Sequence, residues 1–388
     1  MENKKLNILF LCSWYPNPDE KSNGIFIKRH AQALSLSHNV TVVFVKSVST
    51  IHEPVSIKNE EENFEEYLYF YPKMTSGIPI VGLAQKFLKL KAQYRKAINR
   101  LPATSFDIIH INTIFPAAIP ALYAIKKYPA AKVVITEHWS GYYPEDGNYK
   151  GKPVTYYTQK LVAKANAILV ISEKLKQAML AHGLKGNYHR IHNVVDVSLF
   201  KPVISNTKTN NILNILHVSS LVEREKNISG IIEIARELKN RNLNFHLTFV
   251  GENKAEINAH KMLVQKYNLQ DKITFVGFKT PPEVADCMND ADVFLLFSHY
   301  EGMPVVVLEA LSCGLPVIST NVGEVKNMIK PEMGIVLDTA SINECANALT
   351  TYKREHCMDK DKMNQYIATY YSPQAVCKEI TGIYKQLL

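Results

Sequence analysis

The sequence predicts an α/β protein made of two doubly wound parallel-sheet domains. Three observations predict it. Apolar, β-branched runs alternate with helical patterns along almost the whole chain, which is the pattern of parallel strands buried on both faces. The alternation restarts after the polar, helix-poor segment that closes HNVVDVSLFKPVISNTKTNN, which puts a domain boundary near 203–211. The 388 residues also exceed the ~250–300 at which a single core stops growing.

The first run, LNILFLC within MENKKLNILFLCSWYP, is too short for a signal peptide and lacks a small-residue cleavage pattern, so it reads as a buried first strand. VTVVFVKSV, FDIIHINT, KVVITEH and AILVIS follow as strands of the first domain. ILNILHVSS, NFHLTFVGE, KITFVGF, VFLLFS, PVIST and GIVLD are those of the second. The last helix, SPQAVCKEITGIYKQLL, opens on a Ser-Pro start signal. No apolar run approaches the ~18–20 residues of a membrane span. The six cysteines (12, 287, 313, 345, 357, 377) are scattered without CxxC or His-Cys spacing and read as reduced thiols of a cytoplasmic protein.

The charge is lopsided. Residues 1–200 hold 25 Lys+Arg against 15 Asp+Glu, or +10, and the remainder holds 20 against 21, or −1. Within the first half, QKFLKLKAQYRKAINR (85–100) carries six basic residues and no acid, with Phe87, Leu88, Tyr94 and Ile98 roughly on one helical face. A helix of this kind either lies on an anionic membrane surface or packs on its own sheet by the same apolar residues.

In open parallel sheets ligands bind beyond the carboxyl ends of the strands. No GxGxxG, P-loop, zinc pattern or GxSxG elbow stands at such a position. What does stand there is HYEGMPVVVLEALSCG (299–314). Glutamates eight positions apart occur five times in this chain, so the spacing of Glu301 and Glu309 means little by itself. Its context is a strand, a Gly-Met-Pro turn with Pro304 in the first turn of a helix, and Gly314 closing that helix. Glu301 is then a loop residue at an anion-attracting helix start. Glu309, embedded in apolar VVVLEAL, could hold a ribose diol, since an unpaired carboxylate there would be costly. The aromatic loop WSGYYPEDGNYKG (139–151), with Tyr156 and Tyr157, could stack on acceptor sugars or be anchored by its own aromatics.

HYEGMPVVVLEALSCGLPVISTNVGEV resembles the donor-site signature of GT-B glycosyltransferases of the large retaining family 4. SNGIFIKRHAQAL, ITEHW, IHNVVDVSLFKP and LHVSSLVEREKNI match further segments of that family in the expected order. The resemblance implies an N-terminal Rossmann-like acceptor-side domain (1–203), a nucleotide-sugar donor domain (204–370) and a final helix (371–388) returning to the first. It implies catalytic roles for His138, Glu301 and Lys226. His138 would contact the transferred sugar and Lys226 would neutralise the leaving diphosphate. Donor binding would fall to Gly24, Arg224, Lys226, Gly302, Met303, Pro304 and Glu309. The family usually has an Arg where this chain has Ser220, and Arg224 is the nearby replacement.

The function expected is a retaining transfer, without metal or cofactor, from a nucleotide-sugar to a glycan or lipid-linked acceptor in cell-surface polysaccharide or lipopolysaccharide biosynthesis. Nucleic acid is not an expected partner. The protein is expected in the cytoplasm, with peripheral contact at the inner membrane face through 85–100. A sugar-nucleotide epimerase sharing the fold and a non-catalytic glycan- or lipid-binding homologue are the alternatives.

Overall fold

The computed structural model describes residues 4–73, 79–102, 105–203, 212–352 and 358–388, without the side chains of 79–84. The chain forms two compact units, Met1–Val194 with Pro373–Leu388, and Val195–Ser372. The segment read as a linker, 204–211, lies outside the described residues.

The first unit runs β1 (Asn7–Cys12), α1 (Ile25–Ser35), β2 (Asn39–Val48), β3 (Val55–Glu61), β4 (Phe64–Pro72), α2 (Pro79–Asn99), β5 (Ile108–Asn112), α3 (Ile114–Lys127), β6 (Lys132–Glu137), α4 (Lys152–Val162), β7 (Ala167–Val170), α5 (Glu173–Ala181) and β8 (Tyr188–Arg190). Its sheet order is β3-β4-β2-β1-β5-β6-β7-β8, parallel throughout except for the β3–β4 hairpin. The central strands are buried on both faces, as continuous apolar runs require.

The second unit runs β9 (Leu213–Val218), α6 (Glu223–Lys226), α7 (Ile228–Asn240), β10 (Phe245–Val250), α8 (Ile257–Lys266), β11 (Ile273–Phe275), α9 (Pro281–Asp290), β12 (Val293–Leu296), α10 (Val305–Ser312), β13 (Val317–Thr320), α11 (Val325–Met328), β14 (Gly334–Leu337), α12 (Ile342–Thr351) and α13 (Lys360–Tyr371). Its all-parallel order is β11-β10-β9-β12-β13-β14. The two doubly wound sheets expected from the sequence are thus present, and every strand read from an apolar run is a strand. Three others carried no such signal. β3 is exposed along its whole length, β4 carries two glutamates after its first residue although most of it is buried, and β8 is a three-residue edge.

α2 corrects one detail. Tyr94, Ala97 and Ile98 are buried, and the Tyr94 hydroxyl donates to the Cys12 carbonyl at 3.0 Å, but Leu88 is 64% exposed. The apolar stripe is therefore used on the sheet, and Leu88 belongs to the outer, basic face. The five described cysteines are free thiols, and Cys357 lies outside the described residues.

The last helix, α14 (Pro373–Leu387), packs on α1 in the first unit. Its Tyr384 hydroxyl pairs with His110 Nδ1 at 2.6 Å, and His110 Nε2 pairs with the Thr136 hydroxyl at 2.6 Å. Burial, with the charge of His30 behind it, pushes His110 down to about 3, so the ring is neutral and needs both partners. His38 Nε2 meets the Thr381 hydroxyl at 2.8 Å, and His192 Nδ1 meets Glu379 at 3.1 Å. Tyr384→Phe leaves His110 Nδ1 buried and unpaired, a cost of about 1–3 kcal/mol. The urea-unfolding midpoint should fall accordingly without a change in slope.

Candidate functional site

The donor-side residues are assembled at the carboxyl ends of β9 and β12. After β9 the backbone turns sharply: Leu221 has φ 55°, and a Cβ on Gly251 of the neighbouring strand end would lie 1.8 Å from the Ser219 carbonyl oxygen. The short α6 follows and ends at Asn227, whose left-handed backbone and side-chain bond to the Gly230 amide start α7. Lys226 is thereby fixed in the last turn of α6. Its Nζ lies 2.7 Å from Glu301 Oε1, and both side chains are largely buried, at 17% and 10% exposure.

Glu301 occupies the loop between β12 and α10. The same Oε1 accepts from the Ser298 hydroxyl at 2.8 Å, and the Ser298 carbonyl accepts from the Thr320 hydroxyl of β13 at 3.0 Å. The His299 amide donates to the Glu225 carbonyl at 2.9 Å, tying this loop to α6. Gly302 carries its own constraint. Its carbonyl accepts the Glu324 amide at 2.9 Å, and a Cβ on Gly323 (φ 56°) would sit 2.1 Å from that oxygen. Met303 and Pro304 are buried behind it. Pro304 stands one residue ahead of α10 rather than inside its first turn.

Glu309 is a buried carboxylate one turn into α10. Burial and then the Glu309 charge push the Cys313 thiol up to about 12. Gly314 closes α10 with φ 68°, where a Cβ would meet Lys360 of α13 at 2.5 Å. Arg224, the candidate replacement for the missing Arg, is 56% exposed, with its guanidinium 3.7 Å from Glu225. Ser220 is exposed as well. The carboxylate Oε1 of Glu301 is held by Lys226 and Ser298.

The first unit positions His138 and Gly24. Gly24 has φ 66°, and a Cβ there would come within 2.5 Å of the Trp14 carbonyl carbon, so only glycine lets the loop close against β1's extension. His138 follows β6, its ring tilted against Phe26 at 4.8 Å and 5.5 Å from His30. Both its ring nitrogens are shielded from solvent and have no hydrogen-bond partner among the described residues. Burial pushes its pKa well down, so the ring is neutral, with one donor and one acceptor.

Behind it lies Glu137, fully buried. Its Oε1 accepts the His138 and Trp139 amides at 2.8 and 2.9 Å. Its Oε2 accepts the Ile114 amide and the Tyr142 hydroxyl, each at 3.0 Å. Burial raises this carboxyl's pKa against the pull of those donors. Four donors and no acceptor nonetheless match the ionised form.

The aromatic loop divides. Tyr142 and Tyr143 are core residues, and Tyr149 packs between Tyr142 and His182. The loop's tyrosines are thus anchors of the loop itself, while Tyr156 is half exposed on α4 with Lys160 over its ring.

Sequence reasoning missed Glu137, Ser298 and Gly323. Glu137 had a visible signal, a carboxylate ending an apolar strand. Ser298 and Gly323 act through backbone geometry that no spacing reveals.

The chain is similar to known glycosyltransferases. Residues 25–199 match the family described as Glycosyltransferase Family 4, and residues 203–370 match Glycosyl transferases group 1. TuaC of Bacillus subtilis (strain 168), named as a teichuronic acid biosynthesis glycosyltransferase, is 24% identical over 373 residues, 90% of each chain. The structure of sucrose-phosphate synthase from Thermosynechococcus elongatus superposes with a TM-score of 0.77 at 19% identity, covering 99% of both chains. That of Anabaena Alr3699/HepE in complex with UDP and glucose does so at 0.71 and 14% identity, covering 98% of this chain and all of that one. At these identities the two structures establish the fold alone.

Gly323→Ala forces the 301–303 turn to move and holds alanine at positive φ. The expected cost is about 1–3 kcal/mol, read as a lower melting temperature, together with loss of the Lys226–Glu301 contact in the variant's structure.

Proposed function

The chain is a glycosyltransferase of the GT-B, family-4-like group, and from that premise we propose that it retains anomeric configuration as it moves a sugar from a nucleotide-sugar to a glycan or lipid-linked acceptor. The observation that carries the proposal is the fixed Lys226–Glu301 pair ahead of α10, with Glu309 buried one turn further on. A nucleoside diphosphate has a matching set of groups. Its ribose diol suits the carboxylate of Glu309, its phosphates the amides of Gly302 and Met303 at the start of α10, and its leaving charge Lys226.

As the glycosidic bond breaks, negative charge accumulates on the diphosphate. A cation already in position stabilises that charge without reorganising, and it does so without a metal. Glu301 Oε1 is occupied by Lys226 and Ser298, leaving Oε2 as the acceptor for a sugar hydroxyl. A front-face reaction passes the acceptor proton to a diphosphate oxygen, so the protein supplies position and charge and no covalent glycosyl-enzyme is needed. The role assigned to His138, a neutral ring contacting the transferred sugar, fits its shielded, unpartnered nitrogens. The relatedness to TuaC supports a surface polysaccharide as the destination of the sugar.

Calorimetric titration with UDP, GDP, ADP and CMP should give tight binding of one nucleotide, lost in Glu309→Ala. Lys226→Ala should lower kcat about a hundredfold or more while nucleotide binding weakens less. Binding of none of the four would overturn the donor site.

The basic outer face of α2 supports contact with an anionic membrane surface. No helix among the described residues is long and apolar enough to cross a membrane, and the charges of Lys91, Arg95 and Lys96 are exposed beside Leu88. Binding to anionic vesicles should fall with added salt and in the variant carrying Ser at Lys89, Lys91, Arg95 and Lys96, at about 1 kcal/mol per charge removed. Unchanged flotation would discard the membrane contact.

A further inference from the structure

We propose that His217 and Ser219 are positioning residues for the transfer, a relay from ring to hydroxyl to backbone amide that locks the β9–α6 turn and so sets where Lys226 stands. The inference rests on the reading of Lys226 as the cation that meets the leaving diphosphate.

His217 is not in the core for its bulk. Its ring is fully buried in β9, edge-on to Phe249 at 5.6 Å and stacked with Phe294 at 6.4 Å, a place that a phenylalanine would fill as well. What the imidazole adds is two directed nitrogens. Pairing of β9 with β12 runs to Leu216 opposite Phe294, and at the next position Nδ1 lies 2.8 Å from the Leu295 carbonyl oxygen. A carbonyl only accepts, so Nδ1 carries the proton and Nε2 is left as an acceptor. Burial pushes the ring's pKa down to about 4, against the pull of the Leu295 carbonyl and with the charge of Lys226 adding to the fall. The ring therefore holds that single proton at neutral pH.

Nε2 lies 2.8 Å from the Ser219 hydroxyl, which must then donate to it. The same hydroxyl oxygen accepts the Leu221 amide at 3.0 Å. Each donor in the row thus meets one acceptor, and the direction of every bond follows from the Leu295 carbonyl at its start. Leu221 needs this support. Its φ is 55°, a left-handed conformation that a bulky side chain keeps only when its surroundings fix it. On its other side, the Leu221 carbonyl accepts from Asn253 at 3.3 Å and faces His260 Nε2 at 3.4 Å. The next residue, Val222, offers its carbonyl to the Lys226 amide at 2.8 Å. A row of hydrogen bonds therefore runs from β12 to the backbone of Lys226, whose ammonium meets Glu301 at 2.7 Å.

The test uses His217→Phe, which keeps the core filled, and His217→Gln, whose carboxamide carries a donor and an acceptor separated by one carbon, as the ring nitrogens are. Circular dichroism confirms that each variant is folded. Release of nucleotide from UDP-glucose, UDP-N-acetylglucosamine and GDP-mannose is followed, with calorimetry of free UDP and GDP alongside. In His217→Phe and in Ser219→Ala, kcat should fall roughly ten- to a hundredfold while nucleotide affinity hardly changes. His217→Gln should recover most of the loss. In a Lys226→Ala background His217→Phe should cost nothing further, because no ammonium remains to be placed. The full loss in that background as well, or an unchanged kcat in His217→Phe, overturns the relay. Two readouts need no turnover. Histidine nitrogen NMR spectra should contain one ring, absent from His217→Phe, that is protonated on Nδ1 alone at neutral pH, and protonation on Nε2 overturns the relay. A crystal structure of His217→Phe should show the 219–226 turn shifted and Lys226 displaced from Glu301, and an unmoved turn overturns it. Should the wild type bind no nucleotide, the donor reading fails while these two measurements still decide the relay.

Discussion

The ion pair of Lys226 and Glu301 is the constraint on which the donor side depends. Two charges this far from water are costly unless each finds a partner with good geometry. Here the partner distance is 2.7 Å, and Ser298 shares the same carboxylate oxygen. To reach that geometry, α6 must end at Lys226, which the left-handed Asn227 allows. The β12–α10 turn must also present Glu301 backwards, which the absence of a side chain at Gly323 allows. The pair thus links three separate stretches of chain. It also keeps Lys226 extended and in position before any anion arrives, the preorganisation that makes a fixed cation effective.

The first unit solves a different problem. It buries polar groups in quantity and pairs most of them across long sequence distances. His110, His38 and His192 each bond a residue of α14, so the C-terminal helix is held by directional contacts as well as by Val376, Ile380 and Ile383 in the core. Glu137 is the densest node, one carboxylate fixing the residues after β6 and the start of α3. The ring nitrogens of His138 and the amide of Asn112 are among the buried polar atoms with no partner among the described residues, together with the hydroxyls of Thr113, Tyr128 and Thr158.

The sequence by itself determined the architecture. Continuous apolar strands fix parallel pairing, because only burial on both faces accommodates them. Glu301, Gly302, Met303, Pro304, Glu309 and Gly314 were legible because a strand, a turn and a capped helix follow one another within twenty residues, so local rules place them. The β3–β4 hairpin was not legible, since an exposed edge carries no hydrophobic period. Leu88 was assigned to the wrong face of α2 because helical periodicity gives a stripe and not its limits.

Only the tertiary structure decided the rest. That Lys226 pairs with Glu301 while Arg224 lies beside Glu225 depends on where a four-residue helix ends, which is set by contacts 75 residues apart. That Tyr142 and Tyr143 are core while Trp14 and Phe26 are only partly buried depends on which neighbours each ring meets. Local pattern fixes which elements form, but hydrogen bonds and close approaches between distant segments fix which side chains are left without a partner.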